Sequence, residues 1–530
     1  MTGLGGVLGF VLRRDRVPLT AWMLGTVAAG WYFLTAISRV ATTQDDLAGL
    51  AVVVEDPMMR LLTGPGYGLE QLSEERLFAG QYLLYLMILM ALMNMFLLNR
   101  HTRVEEQSGR AELLRANVVG RHVPLVAGLI VLTVANVLIG LSVTALAVVV
   151  VDFPTTGSAL VGLAMVATGM LFAGLMSLSV QVFTFSRSAA GAVGALLGTM
   201  FLIRGGGDLA EVGGSWLSWI APLGWPQQTA PYVEDRVWPA LLTLLLALTL
   251  NAVALLLSTR RDLGSGLIPP RPGRPYAPAW QGSTLGIAAR MLRSGLRGWG
   301  AGMLIWAVIM ASFVGTMEAT AGELPPYFEE IFPPDQMVES YLAMTATTTA
   351  MIAAGAAVSA MQHLRAEELS GRTATVLSAP VSRWSWLGAH LVVLVPSLVM
   401  LLAVSGALSG LIAWAQLGDA QMGIRMTTAF LHQTPAMMAV LAVVVMLLGW
   451  WPRAAGVIGW LLVGYAFFAS FLSQPVDLPE AAVDASLFAH LADMPFEEFR
   501  AAPFWWMTGT AVLAMLLGSI GWRRREIVSG

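Results

Sequence analysis

Twelve stretches of this chain are apolar for about the 20 residues that an α-helix needs to cross a bilayer, and they constrain everything else in it. They lie at 18–38, 77–99, 123–151, 159–183, 189–203 and 239–257, and then at 299–317, 340–361, 386–414, 427–450, 454–473 and 503–522. Only 12% of the residues are charged and 56% are hydrophobic, whereas a soluble domain is roughly 25% charged. The expected fold is an all-α polytopic membrane protein with 12 transmembrane helices, six in each half. The first apolar run is long enough to span and has no small-residue cleavage site after it, so it reads as a helix and not as a removable signal peptide.

Arginine sets the expected orientation. With the N-terminus inside, 23 of the 30 basic residues fall in cytoplasmic segments, while 25 of the 33 acidic residues fall outside. The opposite topology would break the positive-inside rule at nearly every loop. Both termini are therefore expected in the cytoplasm, in a plasma membrane, with a bacterial source.

Two absences exclude whole classes of chemistry. There is no cysteine, hence no disulfide, thiol nucleophile or thiolate metal site. All 30 basic residues are arginine, and without lysine no Walker A phosphate loop exists. ATP hydrolysis, if it drives this protein, has to come from another chain. The six histidines, 101, 122, 363, 390, 432 and 490, show no metal-ligand spacing.

The chain repeats itself. His101-Thr-Arg-Val-Glu-Glu-Gln-Ser-Gly-Arg110 returns as His363-Leu-Arg-Ala-Glu-Glu-Leu-Ser-Gly-Arg372, displaced by 262 residues, each copy directly after a long apolar run. Ala189-Ala-Gly-Ala-Val-Gly194 returns as Ala454-Ala-Gly-Val-Ile-Gly459. Since each half holds an even number of spans, two parallel six-helix repeats are expected, related by an axis along the membrane normal. The divisions are 1–257, a Pro/Gly/Arg linker at 258–283, and 284–530.

Each half opens on a basic amphipathic stretch, Phe10 to Arg16 in one and Ile287 to Arg297 in the other. Such stretches suit the cytoplasmic interface, apolar side in lipid. The linker, Arg260 to Pro275, reads as semi-extended with no core of its own. The fifth span is short and ends at Ile203-Arg-Gly-Gly-Gly207. The tryptophan-rich Trp216–Trp225 and its counterpart Ala485–His490 are too short to span, and read as segments dipping back into the outer leaflet.

In the repeated motif, each preceding helix leaves the membrane at Asn99 or Gln362 and carries charge into the cytoplasm. Ser108-Gly109 and Ser370-Gly371 break it, serine as a helix N-cap and glycine for the turn. Short helices follow, Arg110–Arg115 and Arg372–Leu377, before re-entry after Arg121 or Arg383. The segments 101–121 and 363–383 are thus candidate docking elbows, in which Glu106 and Glu368 pin the corner beside Arg110 and Arg372. The alternative is a solvated loop.

On these residues the chain resembles the export-type permeases of ABC transporters, of the ABCG-like or type V architecture. Arg103–Arg110 with Ala111-Glu-Leu-Leu, Arg260–Pro270, Pro222-Leu-Gly-Trp225 and Gln433-Thr-Pro435 resemble the fused two-half exporters of polyketide antibiotics, the tetronasin type, of actinobacteria. The resemblance implies that Arg103, Glu105, Glu106, Gly109, Arg110 and Glu112, and Arg365, Glu367, Glu368, Gly371 and Arg372, couple to two copies of a cytoplasmic ATPase. Glu112 has only Ala374 as its counterpart. The resemblance further implies a pathway along the second and fifth helices of each half, past Gln81, Tyr85, Met90, Asn94 and Phe201, and past Met344, Thr345, Thr348, Phe467 and Phe468.

The expected function is the permease subunit of an ATP-driven exporter of hydrophobic or amphiphilic, antibiotic-like compounds. It is not expected to be an enzyme or to bind a cofactor itself; ATP and Mg²⁺ would sit on the partner. Its other partners would be membrane lipid and the substrate, with no nucleic acid. The same fold could export lipid or polysaccharide. An ion-coupled secondary transporter is disfavoured because none of these spans carries a carboxylate, and an embedded enzyme because no catalytic cluster is found. His432-Gln433, in the outer half of a span, is either functional or interfacial.

Overall fold

The computed structural model describes residues 2–526 except 41–46, 48–49, 52–53, 117–118, 271, 274, 322–331 and 473–478. Among the described residues, twelve helices are long and apolar enough to cross a membrane. They are α1 (Leu4–Ile37), α2 (Leu83–Gln107), α3 (Val123–Val149), α4 (Thr155–Val182), α5 (Ser186–Ala210) and α6 (Trp238–Ser258), followed by α7 (Thr284–Ala319), α8 (Pro334–Leu369), α9 (Arg383–Leu417), α10 (Met422–Trp450), α11 (Pro452–Phe471) and α12 (Ala501–Arg524). The chain divides into two compact units, Met1–Gly273 and Arg274–Gly530, with six of these helices in each.

Within the first unit α2 and α4 form the core, and within the second α8 and α10 do. Lipid tails are as apolar as leucine, so such helices are held by close backbone approach more than by hydrophobicity. Glycine makes that approach possible between α10 and α12, where a Cβ on Gly449 would lie 2.1 Å from the Gly518 carbonyl oxygen. The same device joins α3 to α4, where a Cβ on Gly162 would lie 2.7 Å from the Gly140 carbonyl oxygen.

Three sequence expectations change. The amphipathic stretches are not separate interfacial helices. Each is the first part of a long helix, α1 or α7, and part of its apolar side faces protein, although Phe10 and Leu12 of α1 remain exposed. Val7 and Val11 bury against Val123, Ala127 and Val131 of α3, and Leu292 is buried in the core of the second unit. The fifth span is not short, since α5 runs on through Arg204 and the three glycines to Ala210. It can do so because Arg204, fully buried, pairs with Asp208 one turn later at 2.7 Å and donates to the Leu61 carbonyl at 2.6 Å. Asp208 also accepts from Ser218 Oγ at 2.6 Å. A carboxylate therefore does lie within a span, neutralised where it sits.

The linker also changes. Its first part belongs to the first unit, where Leu267 and Ile268 donate to the carbonyls of Gln181 and Val182 at the end of α4, at 2.9 and 3.0 Å. Gly266 permits this, because a Cβ there would come within 2.6 Å of the Phe183 backbone.

Candidate functional site

As expected from the sequence, the charges of the motif ride on the last turns of α2 and α8, which end at Gln107 and Leu369, just before the Ser-Gly turn. In the first unit Arg103 is fully buried. It donates to Glu106 Oε2 at 2.6 Å, to the Ser265 carbonyl at 2.9 Å and to the Val180 carbonyl. Arg261, beyond the end of α6, closes on the same carboxylate from the other side, at 2.6 and 2.9 Å, and its Nε donates to Gln181 Oε1 at 2.7 Å. Glu105 binds Arg110 across the turn at 3.1 and 3.2 Å, and also Arg14 of α1. Beneath these, Asp15 lies 3.1 Å from both Arg100 Nε and His101 Nδ1.

The second unit makes the same corner from the equivalent residues. Glu368, fully buried at the end of α8, binds Arg365 at 2.7 Å and is gripped by both guanidinium nitrogens of Arg525, at 2.5 and 2.6 Å. Glu367 holds Arg372 at 2.5 and 2.6 Å. In both units the arginine at the re-entry point, Arg121 or Arg383, donates to the main-chain carbonyl of the clamping arginine, Arg261 or Arg525. The C-terminal end of the sixth helix is thus tied to the elbow of the second helix twice over, by side chain and by backbone.

The turn is built as glycine requires. Gly109 and Gly371 sit at φ 75° and 78°, with nothing near the place a Cβ would occupy. A side chain there would fit in space but would strain the backbone by about 1–2 kcal/mol. Serine plays a different part from the expected one. Ser108 and Ser370 end the long helices, their hydroxyls donating back to the Glu105 and Glu367 carbonyls at 3.1 and 2.9 Å, and they do not cap the short helices. The glutamates also exchange partners relative to expectation: Glu105 and Glu367 hold the arginine after the turn, while Glu106 and Glu368 face inward to Arg261 and Arg525. The first elbow alone contains a π-helical turn, Arg100–Val104. Glu112 is exposed on its short helix.

Arg261 and Arg525 carry no mark of their own in composition or periodicity. They stand 264 residues apart in Arg260-Arg-Asp262 and Arg524-Arg-Glu526, close to the spacing of the other repeats, and that spacing was the available signal.

The opposite ends of the units differ. In the first, Gln227 donates to the Thr63 carbonyl at 2.7 Å and Tyr67 to Gln228 at 2.5 Å, joining the Arg204–Asp208 pair in a network that ties α5 to the segment before α6. In the second unit a cavity of about 380 Å³ lies between α8, the end of α11 and the segment from Val483 to Phe496. Two candidate pathway residues, Met344 and Thr348, line it. Thr345 is fully buried and bonds to its own helix, and Phe467 and Phe468 lie on α11, partly exposed. His432 is packed between Phe499 and Phe504, and Gln433 donates to Thr347 at 3.0 Å.

In the first unit Tyr85 and Phe201 are partly exposed, whereas Gln81 and Met90 are buried. Asn94, expected on a pathway, is instead fully buried and paired reciprocally with Asn136 of α3 at 2.8 and 3.0 Å. Its amide is spent on helix packing. Asn94→Ala should strand the Asn136 amide and cost about 1–2 kcal/mol, read as a lower Tm of the purified chain with the range of transported compounds unchanged. A shifted range at unchanged Tm would return Asn94 to the pathway.

Comparison with known proteins places this architecture. Over 536 aligned residues the chain is 32% identical to the multidrug efflux system permease protein Rv1217c of Mycobacterium tuberculosis, an alignment covering 99% of this chain and 95% of that protein. The chain belongs to that family of efflux permeases. The family model described as the C-terminal domain of multidrug efflux system permease Rv1217c matches residues 282–523, nearly the whole of the second unit. With twelve apolar helices, this permease is a multi-pass protein of the plasma membrane.

Proposed function

We propose that this permease is the membrane subunit of an ATP-driven ABC exporter, and that its two elbows are where a separate cytoplasmic ATPase acts. The observation that carries the reading is the duplicated clamp. Arg103 and Glu368 are fully excluded from solvent at the ends of α2 and α8, whereas charges in a solvated loop would stay wet. Burying ions costs several kcal/mol each unless geometry and hydrogen bonding are good, so a corner built this way is stiff. A push on the short helices Arg110–Arg115 and Arg372–Leu377, through exposed residues such as Glu112 and Thr375, then moves α2 with α6, and α8 with α12, as bodies. Rigid-body rocking of packed helices is a common way to alternate access.

The elbows would face the cytoplasm, because they lie on the side of the membrane where 23 of the 30 arginines fall. Two parallel six-helix repeats of the ABCG-like, polyketide-exporter type fit the twofold recurrence of the corner. Two ATPase copies would bind, one beneath each elbow, carrying the ATP and Mg²⁺ that this lysine-free chain has no motif to hold. The cargo would be hydrophobic or amphiphilic, in keeping with the name of the mycobacterial relative, and Tyr85, Phe201, Met344, Thr348 and Phe468 are the candidate contacts. Carboxylates within the spans do not favour an ion-coupled carrier, since Asp208 is held by Arg204 and Ser218. The test is substrate-stimulated ATP hydrolysis by the permease purified with its ATPase; hydrolysis indifferent to any hydrophobic compound would sink the drug-export reading.

A further inference from the structure

The cavity of the second unit lies at the end of α8 remote from the elbow. Met344 and Leu369 are 25 residues apart on one helix, roughly 35–40 Å. At about 380 Å³ it is within the size range of small-molecule sites. Its lining has one chemical character. Asp484 and Asp493 border it, and among the described residues neither carboxylate is engaged in an ion pair. Among the described residues, no arginine or histidine lines it.

Two of the wall's hydroxyls add to this, while Thr347 and Ser486 are acceptors, from Gln433 Nε2 at 3.0 Å and from the Phe488 N–H at 3.3 Å. Thr348 Oγ1 donates to the Met344 carbonyl at 2.6 Å and Ser340 Oγ to the Gln336 carbonyl at 3.0 Å. A hydroxyl whose proton is already given to its own helix offers a ligand only lone pairs. Phe332, Phe488 and Phe496 complete the lining, and aromatic faces attract cations. Two carboxylates and three π-faces present negative charge, and among the described residues no cationic side chain of the lining opposes them.

A second cavity of about 710 Å³ adjoins through Phe496, which lines both. Around it stand Glu339, Glu498 and Glu497, the last paired with Arg500 at 3.3 Å, beside the guanidinium of Arg425. Clefts lined mainly by one sign of charge concentrate the opposite ion.

We propose that the cavity between α8, α11 and the Val483–Phe496 segment binds amphiphilic organic cations, held by Asp484 and Asp493 against the phenylalanine wall. That such a cation is also exported cargo rests on the export reading; that it binds does not.

The test uses the purified full chain without any ATPase, and two probes alike in size and apolarity but opposite in charge. Tetraphenylphosphonium is expected to bind saturably and tetraphenylborate not to. The double variant Asp484→Asn/Asp493→Asn should weaken phosphonium binding by about tenfold or more, because the Coulombic attraction of two carboxylates is lost. Ala489→Arg, an exposed position on the same lining, should abolish phosphonium binding and admit the borate, and it decides the matter if the aspartate variants fold poorly. Equal binding of both ions, or phosphonium affinity unchanged by Ala489→Arg, would overturn the assignment. Cation binding by a chain that recruits no ATPase would leave this assignment standing and the export reading fallen. An active ATPase complex with no cation binding would do the reverse.

Discussion

Glu368→Ala is expected to leave membrane insertion intact and to remove at least about nine-tenths of substrate-stimulated ATP hydrolysis and transport. The glutamate is fully buried and its two oxygens are shared between Arg525 and Arg365. Deleting it leaves two guanidinium groups facing one another with no counter-charge, and breaking a buried pair in this way costs about 3–5 kcal/mol. At 1.4 kcal/mol per factor of ten, the closed corner would lose on the order of a hundredfold or more in population. Glu106→Ala should act alike, since Arg103 and Arg261 meet on that carboxylate.

The neighbouring glutamate provides the contrast. Glu367 pairs with Arg372, whose side chain is 65% exposed, and an exposed pair is worth only about 0–1 kcal/mol. Glu367→Ala should therefore be mild. Glu368→Arg combined with Arg525→Glu should recover part of the activity, because the opposed charges are restored in exchanged positions. Transport and stimulated hydrolysis in reconstituted vesicles measure all of these. Full activity in the double Glu106→Ala/Glu368→Ala variant would mean that the buried carboxylates play no part in coupling.

The second large effect concerns the partner. The isolated chain should hydrolyse no ATP, because a phosphate loop needs a lysine on the phosphates and there is none in 530 residues. Hydrolysis should appear only when an ATPase is added, saturating at two per permease. Each elbow offers its own short helix, with Glu112 exposed on one and Thr375 on the other, so one ATPase is expected at each. Hydrolysis by the permease alone, or transport driven by a proton gradient without ATP, would refute this.

The apolar runs were enough to find the twelve helices, because within a bilayer length and hydropathy leave the backbone few alternatives. They misplaced helix ends wherever charge continues a helix. α2 and α8 run on to Gln107 and Leu369, ends that the Ser-Gly pair of the motif marked where hydropathy did not, and α5 runs past Arg204, whose partner hydropathy cannot see. The turn glycines were legible from type alone, since a chain reversal after a helix needs a positive φ. The inward clamp was not. Arg261 and Arg525 lie some 155 residues from the glutamates they hold, and only the twofold recurrence could have linked them. Asn94 shows the converse: a polar residue in an apolar run suggests a pathway, yet here its partner is Asn136 on the next helix.

Cross-linking tests the elbows as docking points most directly, and the cysteine-free chain suits it. Single cysteines would be placed at Glu112 and at Thr375, both exposed on the short helices, and at Trp216, exposed in the segment after α5. Each would be treated with a short thiol–amine cross-linker in membranes containing the ATPase. Glu112→Cys and Thr375→Cys should each join to the ATPase, and Trp216→Cys should not. A cross-link at Trp216, or none at either elbow, would contradict the account.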